Sequence, residues 1–130
     1  MVDSPEQTEL FAFSTEKVEA LRAQGKPVFV DFTAKWCLIC QTNKVTLHSS
    51  EAKEAFEKSG VTTMQADWTK KDTQITNELR KMGRSGVPVY VLYPADRSKP
   101  PYILPQNLSA SVLKEYLGKL ESDGTTVQTD

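Results

Sequence analysis

The two cysteines of the chain, Cys37 and Cys40, stand two residues apart directly after an apolar run. That run, from Val28 to Phe32, is β-branched and aromatic apart from one acid, Asp31, and it predicts a buried β-strand. A Cys-x-x-Cys between a strand and a helix start lies near unpaired backbone N–H groups and the positive end of the helix dipole. Both favour the thiolate, which is the nucleophilic form, so the spacing indicates a redox dithiol.

Four other interpretations of the cysteine pair were weighed against the residue content. A structural zinc site needs four ligands, usually Cys or His, and His48 is the only histidine, so zinc is disfavoured. Gln41 stands where c-type haem attachment requires a histidine. A purely structural disulfide would close too small a loop to stabilise much. Two unpaired, simply buried cysteines stay open as an alternative.

The whole-chain properties indicate one ordinary domain. With 130 residues the chain is long enough to bury a hydrophobic core that needs no stabilising disulfides or metal ions. Sixteen basic and seventeen acidic side chains leave a formal net charge of -1, which gives no indication of nucleic-acid binding. No apolar run approaches the roughly 18–20 residues of a membrane span. The polar start predicts no signal peptide, and an exported or anchored form would carry that segment outside this sequence.

Hydrophobic periodicity predicts the order (β)αβα–αβαββα between residues 11 and 121. Parallel strands with crossover helices come first, and an antiparallel hairpin and a helix close the domain. Residues 1–10 are predicted to be a flexible leader or linker, and residues 122–130 a disordered tail. Helix starts are predicted at polar N-caps, namely Ser14 or Thr15, Ser49, Asp72 and Ser109.

Three spaced features carry a family resemblance. Asp31 precedes Cys37 by six residues, Trp36 stands directly before Cys37, and Gly86-Val87-Pro88 follows some fifty residues later. In these features the chain resembles the thioredoxin superfamily over roughly residues 11–121. The resemblance implies an α/β thioredoxin-like fold with a central mixed β-sheet flanked by helices, and thiol–disulfide oxidoreductase activity.

Within the superfamily, the chain is similar to the C-terminal periplasmic domain of the DsbD family of bacterial membrane thiol–disulfide interchange proteins. The similarity lies in the Lys-Pro-Val entry to the strand, the apolar pair between the cysteines, and the segment from Thr46 to Glu51. Lys44 is a departure, because DsbD domains tend to carry an acidic residue one turn after the second cysteine. The cation of Lys44 favours the thiolate form of the cysteines. It also puts in doubt the adjustment of the dithiol by an acid at this position.

The predicted chemistry assigns different roles to the two thiols. Cys37, at the helix end and partly exposed, is expected to attack a partner disulfide, and Cys40 is expected to resolve the mixed disulfide. Asp31 is the candidate acceptor of the Cys40 proton, because burial raises the pKa of a carboxyl toward the range of a general base. The resemblance implies the same role for Asp31. In the alternative, strand alternation turns Asp31 to solvent.

The resemblance also implies a substrate-binding surface beside the dithiol. Pro88 is expected to form a cis peptide bond with Val87, at a cost of only about 0.5–1 kcal/mol, and to leave the preceding backbone free to pair with an extended peptide. An ordinary trans proline is the alternative. Trp36 is expected to belong to the same docking surface. The remaining expectations are that Trp68 is core or rim, that Lys35 and Lys44 are solvated, and that His48 has no catalytic role.

The predicted function is a protein-disulfide reductase that takes electrons from a membrane dithiol donor and passes them to periplasmic proteins, as the resemblance implies. An oxidase or isomerase of the same fold and a redox-inert interaction module are the alternatives. We expect a monomeric domain with no metal and no cofactor other than the Cys37–Cys40 pair. The expected location is the periplasm, with the cytoplasm as the alternative.

Overall fold

The computed structural model of the chain describes residues 11–122, with five strands and five helices in that range. The predicted leader, residues 1–10, lies outside the described residues, as does the predicted tail except for residue 122. The elements are, in chain order, β1 (Phe11–Ala12), α1 (Thr15–Ala23), β2 (Val28–Thr33), α2 (Leu38–Leu47), α3 (Ser50–Lys58), β3 (Thr62–Asp67), α4 (Thr73–Lys81), β4 (Val89–Tyr93), β5 (Tyr102–Leu104) and α5 (Ala110–Ser122).

The strands form one mixed sheet in the order β1-β3-β2-β4-β5. The central strand, β2, is parallel to β3 and antiparallel to β4, while β1 and β5 form the edges. The predicted mixed sheet is therefore confirmed. In this register Asp31 lies opposite Gln65 of β3 and Tyr90 of β4, so the acid is at the centre of the sheet.

Polar caps begin three of the helices where the sequence predicted them. The side chains of Ser14, Ser49 and Asp72 each accept a hydrogen bond from a backbone N–H of the first turn that follows. Gly25 and Gly83 follow α1 and α4 with φ of +82° and +73°. Glycine adopts this left-handed conformation without a Cβ penalty, so both helices end where the sequence predicted.

Alternation along β2 distributes its side chains between two faces of the sheet. Val28, Val30 and Phe32 lie in an apolar cluster with residues of α1 and α4, and we call this side the apolar face. Phe29 lies in a second cluster with residues of α2, α3 and α5, and we call this side the dithiol face. Asp31 shares the parity of Phe29, so it lies beneath the helix that carries the cysteines.

Candidate functional site

The cysteine pair begins α2. Cys37 is the N-cap residue, and Cys40 lies in the first turn. The two are joined by a disulfide with a Cα–Cα distance of 5.3 Å, and the Cys40 backbone N–H donates to Cys37 Sγ at 3.2 Å. Cys37 Sγ therefore lies beside the unpaired backbone N–H groups of the first turn of α2 and the positive end of the helix dipole, as the sequence predicted.

Cys37 is less accessible than its predicted role suggested. Its side chain is 8% exposed, against 1% for Cys40, so Cys37 is still the outer of the two. Ala34 and Val87 pack against the pair. The exposed apolar surface belongs instead to neighbours of the cysteines, since Trp36, Leu38 and Ile39 are 51%, 82% and 50% exposed.

The Gly-Val-Pro segment comes to the disulfide from the other side, at the start of β4. The peptide bond between Val87 and Pro88 is cis. Val87 is half-buried against the cysteine pair, and Pro88 is buried. The structure therefore places Val87 against the disulfide and Pro88 directly after it, while the contacts of Trp36 are with the loop that follows β3.

Asp31 is buried, with 8% of its surface exposed, and the alternative in which it faces solvent is wrong. Burial raises the pKa of its carboxyl from 3.8 to about 6, against the opposing influence of the Lys44 charge. Its Oδ1 atom has no hydrogen-bond partner among the described residues. A carboxyl in this state exchanges its proton close to neutral pH.

The prediction that Lys44 is a solvated charge is wrong. Its side chain is only 24% exposed, and Nζ lies 3.7 Å from Asp31 Oδ2. The same ammonium donates to Gln65 Oε1 at 3.2 Å. The signal was present in the spacing, because a residue four positions after Cys40 lies on the same face of the helix.

The two tryptophans differ in burial. Trp36 is held at the surface, where its Nε1–H donates to the Thr69 carbonyl at 3.0 Å. Trp68, which the sequence left undecided, is buried and donates to Thr76 Oγ1 at 2.8 Å. The Lys71 ammonium lies 5.3 Å and 5.5 Å from the two ring centroids, so the loop after β3 fixes the orientation of Trp36.

A polar link beneath α2 was missed by the sequence analysis. The Asn43 side-chain amide donates to the Tyr90 hydroxyl at 2.8 Å and to the Gln106 carbonyl at 2.7 Å. Tyr90 is fully buried, and burial raises its pKa to about 12, so its hydroxyl stays neutral. The link ties the dithiol helix to β4 and to the loop before α5.

Within residues 11–122, no group of three or more His, Cys, Asp or Glu side chains is arranged to hold a metal ion. His48 is exposed at the C-cap of α2. No helix in the described range has both the length and the apolar character that a membrane crossing needs.

A family model described as thioredoxin-like matches residues 10–95, which include the dithiol, Asp31 and Pro88. The chain belongs to the thioredoxin-like family. This agrees with the resemblance seen in the spaced motifs.

Two curated relatives are DsbD proteins, each named as a thiol:disulfide interchange protein. The protein from Vibrio cholerae serotype O1 is 37% identical over 68 residues, which are 52% of this chain and 11% of that relative. The protein from Cronobacter sakazakii is 30% identical over 81 residues, which are 62% of this chain and 14% of that relative. The chain thus matches a small part of much longer proteins, and the similarity to DsbD is confirmed.

Solved structures extend the likeness to almost the whole domain. The oxidised C-terminal domain of DsbD from Neisseria meningitidis superposes with a TM-score of 0.66 at 24% identity, covering 85% of this chain and 97% of that domain. Chloroplastic thioredoxin z superposes with a TM-score of 0.65 at 26% identity, covering 94% of this chain and 98% of the other. Both comparisons confirm the thioredoxin-like fold.

Proposed function

We propose that this domain is a thiol–disulfide oxidoreductase that acts as a protein-disulfide reductase. The observation that carries the proposal is the position of the Cys37–Cys40 disulfide at the start of α2, on the face of the sheet that buries Asp31. Family membership and the similarity to thiol:disulfide interchange proteins support the same chemistry. The disulfide itself is the redox group, with no other cofactor and no metal.

In the proposed reaction, the Cys37 thiolate attacks a partner disulfide, and one partner sulfur leaves as a thiolate. The Cys40 thiol then gives its proton to Asp31, and the resulting thiolate attacks Cys37 Sγ. The Cys37–Cys40 bond forms as the second partner sulfur leaves. Two electrons pass to the partner, which becomes a dithiol, and the domain becomes oxidised.

Partner recognition is proposed for the surface around the disulfide. Trp36, Leu38 and Ile39 offer exposed apolar contact area. The backbone at Val87, which precedes Pro88, is proposed to pair with an extended segment of the partner. We further propose that a membrane dithiol donor supplies the electrons, that the acceptors are periplasmic proteins, and that the domain acts there as a monomer.

The reduction potential of the Cys37–Cys40 pair tests the direction of electron flow, by equilibration against a dithiol redox buffer. A value near or below about -230 mV places the pair with reductants such as thioredoxin. A value near about -120 mV makes it an oxidant and overturns the reductase proposal while leaving oxidoreductase chemistry in place.

Trapping tests the roles of the cysteines. The Cys40→Ser variant is expected to accumulate a mixed disulfide with a reducible protein such as insulin, because nothing resolves the bond at Cys37. The matched Cys37→Ser variant is expected to trap far less. Equal trapping by both variants, or by neither, contradicts the assigned roles, and a wild-type protein that does not reduce insulin supports a redox-inert interaction module.

A further inference from the structure

Lys44 connects the dithiol helix to the buried acid beneath it. It lies one helical turn after Cys40, and its ammonium is 3.7 Å from Asp31 Oδ2 and 3.2 Å from Gln65 Oε1. Gln65 is the residue opposite Asp31 in the neighbouring strand. The lysine is thus held between the acid and its strand neighbour, with three-quarters of its side chain out of solvent.

Lys44 also lies where the buried carboxyl approaches the surface. Asp31, Gln65 and His48 contribute to the lining of a cavity of about 50 Å³, which exceeds the volume that a single water molecule needs. Lys44 lines an open cleft of about 280 Å³, together with Gln65 and His48. The two spaces share Gln65 and His48, so the cleft that Lys44 lines adjoins the cavity that Asp31 lines.

The charged and titratable groups around this carboxyl come from four elements. They are Lys44 of α2, His48 at the C-cap of α2, Lys53 of α3, Asp67 of β3, which interacts with Lys44, and Tyr90 of β4. The influence that lowers the pKa of Asp31 comes from Lys44, whose ammonium lies 3.7 Å from the carboxylate. Tyr90 stays neutral near pH 7.

We propose that Lys44 is a positioning residue for proton transfer, which through its contact with Asp31 keeps that carboxyl ionised and ready to accept the Cys40 proton. A carboxyl buried without a cation would keep its own proton up to a higher pH, so a smaller fraction of molecules would hold it as a base near neutral pH. The inference rests on the proposed reaction, in which Cys40 must lose a proton before it attacks Cys37. The proton then returns to solvent from Asp31 past Lys44.

The first test measures Asp31 itself in the reduced protein, by the pH titration of its ¹³C-labelled carboxyl in NMR spectra. Replacing the lysine in Lys44→Met keeps most of the alkyl stem and removes the charge. We expect the Asp31 pKa to rise by about 1, since an opposite charge at this distance lowers a carboxyl pKa by about 1–3 and the site is partly solvated. Lys44→Arg should restore the wild-type titration.

The second test measures the pH dependence of the reaction of reduced protein with oxidised glutathione, in stopped flow. With the Asp31 pKa raised from about 6 to about 7, its ionised fraction at pH 6 falls about fivefold, and the Lys44→Met rate should fall equally. Above pH 8 the two rates should converge, because Asp31 is then ionised in both proteins.

Two controls separate this effect from general changes of charge. Lys35→Met removes an exposed lysine two residues before Cys37, whose charge acts on Asp67, and should leave the Asp31 titration unchanged. His48→Gln removes the neighbouring imidazole and should leave the Lys44-dependent difference intact.

An unchanged Asp31 titration in Lys44→Met overturns the inference, as does an equal shift in Lys35→Met. A raised pKa with a pH–rate profile like that of the wild type also overturns it. If wild-type protein reduces no disulfide, the proposed function fails instead, and the NMR titration still decides whether Lys44 controls Asp31.

Discussion

The two faces of the sheet receive alternate side chains from the same strand, yet they differ in chemistry. On the apolar face, Val28, Val30 and Phe32 of β2 are fully buried among other apolar side chains. On the dithiol face, the same strand contributes Asp31 and Thr33, each with a buried oxygen that has no hydrogen-bond partner among the described residues.

Burial of apolar surface stabilises a fold, whereas a buried polar atom without a partner costs free energy. The comparison therefore indicates a division of tasks across one layer of backbone. Burial on the apolar face stabilises the fold, and the acid buried beneath the cysteines on the dithiol face lowers the free energy of unfolding. Removing the buried charge of the dithiol face should accordingly differ in sign and in pH dependence from truncating a side chain of the apolar face.

The largest effect is expected from breaking the apolar face. Phe32 is fully buried, and its ring lies 5.5 Å from that of Phe13. Phe32→Ala removes that packing and leaves a cavity, so we expect the free energy of unfolding to fall by about 4 kcal/mol. Urea unfolding of the oxidised protein measures the loss, which should be the same at pH 4 and pH 7.5 because no titrating group is changed.

As a control, Leu38→Ala removes an apolar side chain that is 82% exposed and should change the unfolding free energy by less than about 0.5 kcal/mol. A loss in Phe32→Ala that varied strongly with pH would contradict the separation of the two faces.

The second effect has the opposite sign and sharpens the comparison. The folded-state pKa of Asp31 is about 6, above its ordinary value of 3.8, so the folded protein binds this proton more tightly than the unfolded chain. The resulting cost is absent below about pH 4, grows between pH 4 and 6, and is fully present above that range. Asp31→Asn should therefore raise the unfolding free energy by about 3 kcal/mol at pH 7.5 and change it little at pH 4.

The control for this substitution is Asp67→Asn, at an exposed carboxyl whose pKa is lowered by its hydrogen bond with Thr69. That change should not stabilise the protein. If Asp31→Asn is no more stable than wild type at pH 7.5, the buried carboxyl carries no such cost.

The smallest effect concerns the polar link of the dithiol face. Tyr90→Phe removes the hydroxyl that accepts from Asn43, while the amide keeps its bond to the Gln106 carbonyl. We expect a loss of about 1 kcal/mol, typical of one buried hydrogen bond, by urea unfolding. Tyr116→Phe, on a half-buried ring of α5 that packs against Tyr102, is the matched control and should have almost no effect. Equal losses in both variants would show that the link is not specific.

Much of the fold could be predicted because its determinants are local. The caps Ser14, Ser49 and Asp72 lie in the few residues that they organise, and the apolar run of β2 is visible without any partner strand. Cys37 and Cys40 were predictable for the same reason, since three positions at a helix start define their relation. The burial of Asp31 was predictable because it is the single acid in an apolar run.

The surroundings of Asp31 could not be predicted with equal certainty, because they depend on contacts across elements. Lys44 was interpreted as solvated, since most lysines are, and only the packing of α2 on the sheet brings it to the acid. The hydrogen bond from Asn43 to Tyr90 joins residues 47 positions apart, and no local sequence pattern predicts it. Single sequences encode such pairs only through tertiary structure.

Within residues 11–122 the sheet ends on both sides in its shortest strands, two residues in β1 and three in β5. An edge strand is where a foreign chain can add itself by backbone hydrogen bonds, and very short edges leave little template for such growth. This has a consequence for colloidal behaviour. Under the proposed function the domain meets polypeptides that are still extended and prone to aggregate. The described part of its sheet offers them almost no edge strand with which to form hydrogen bonds.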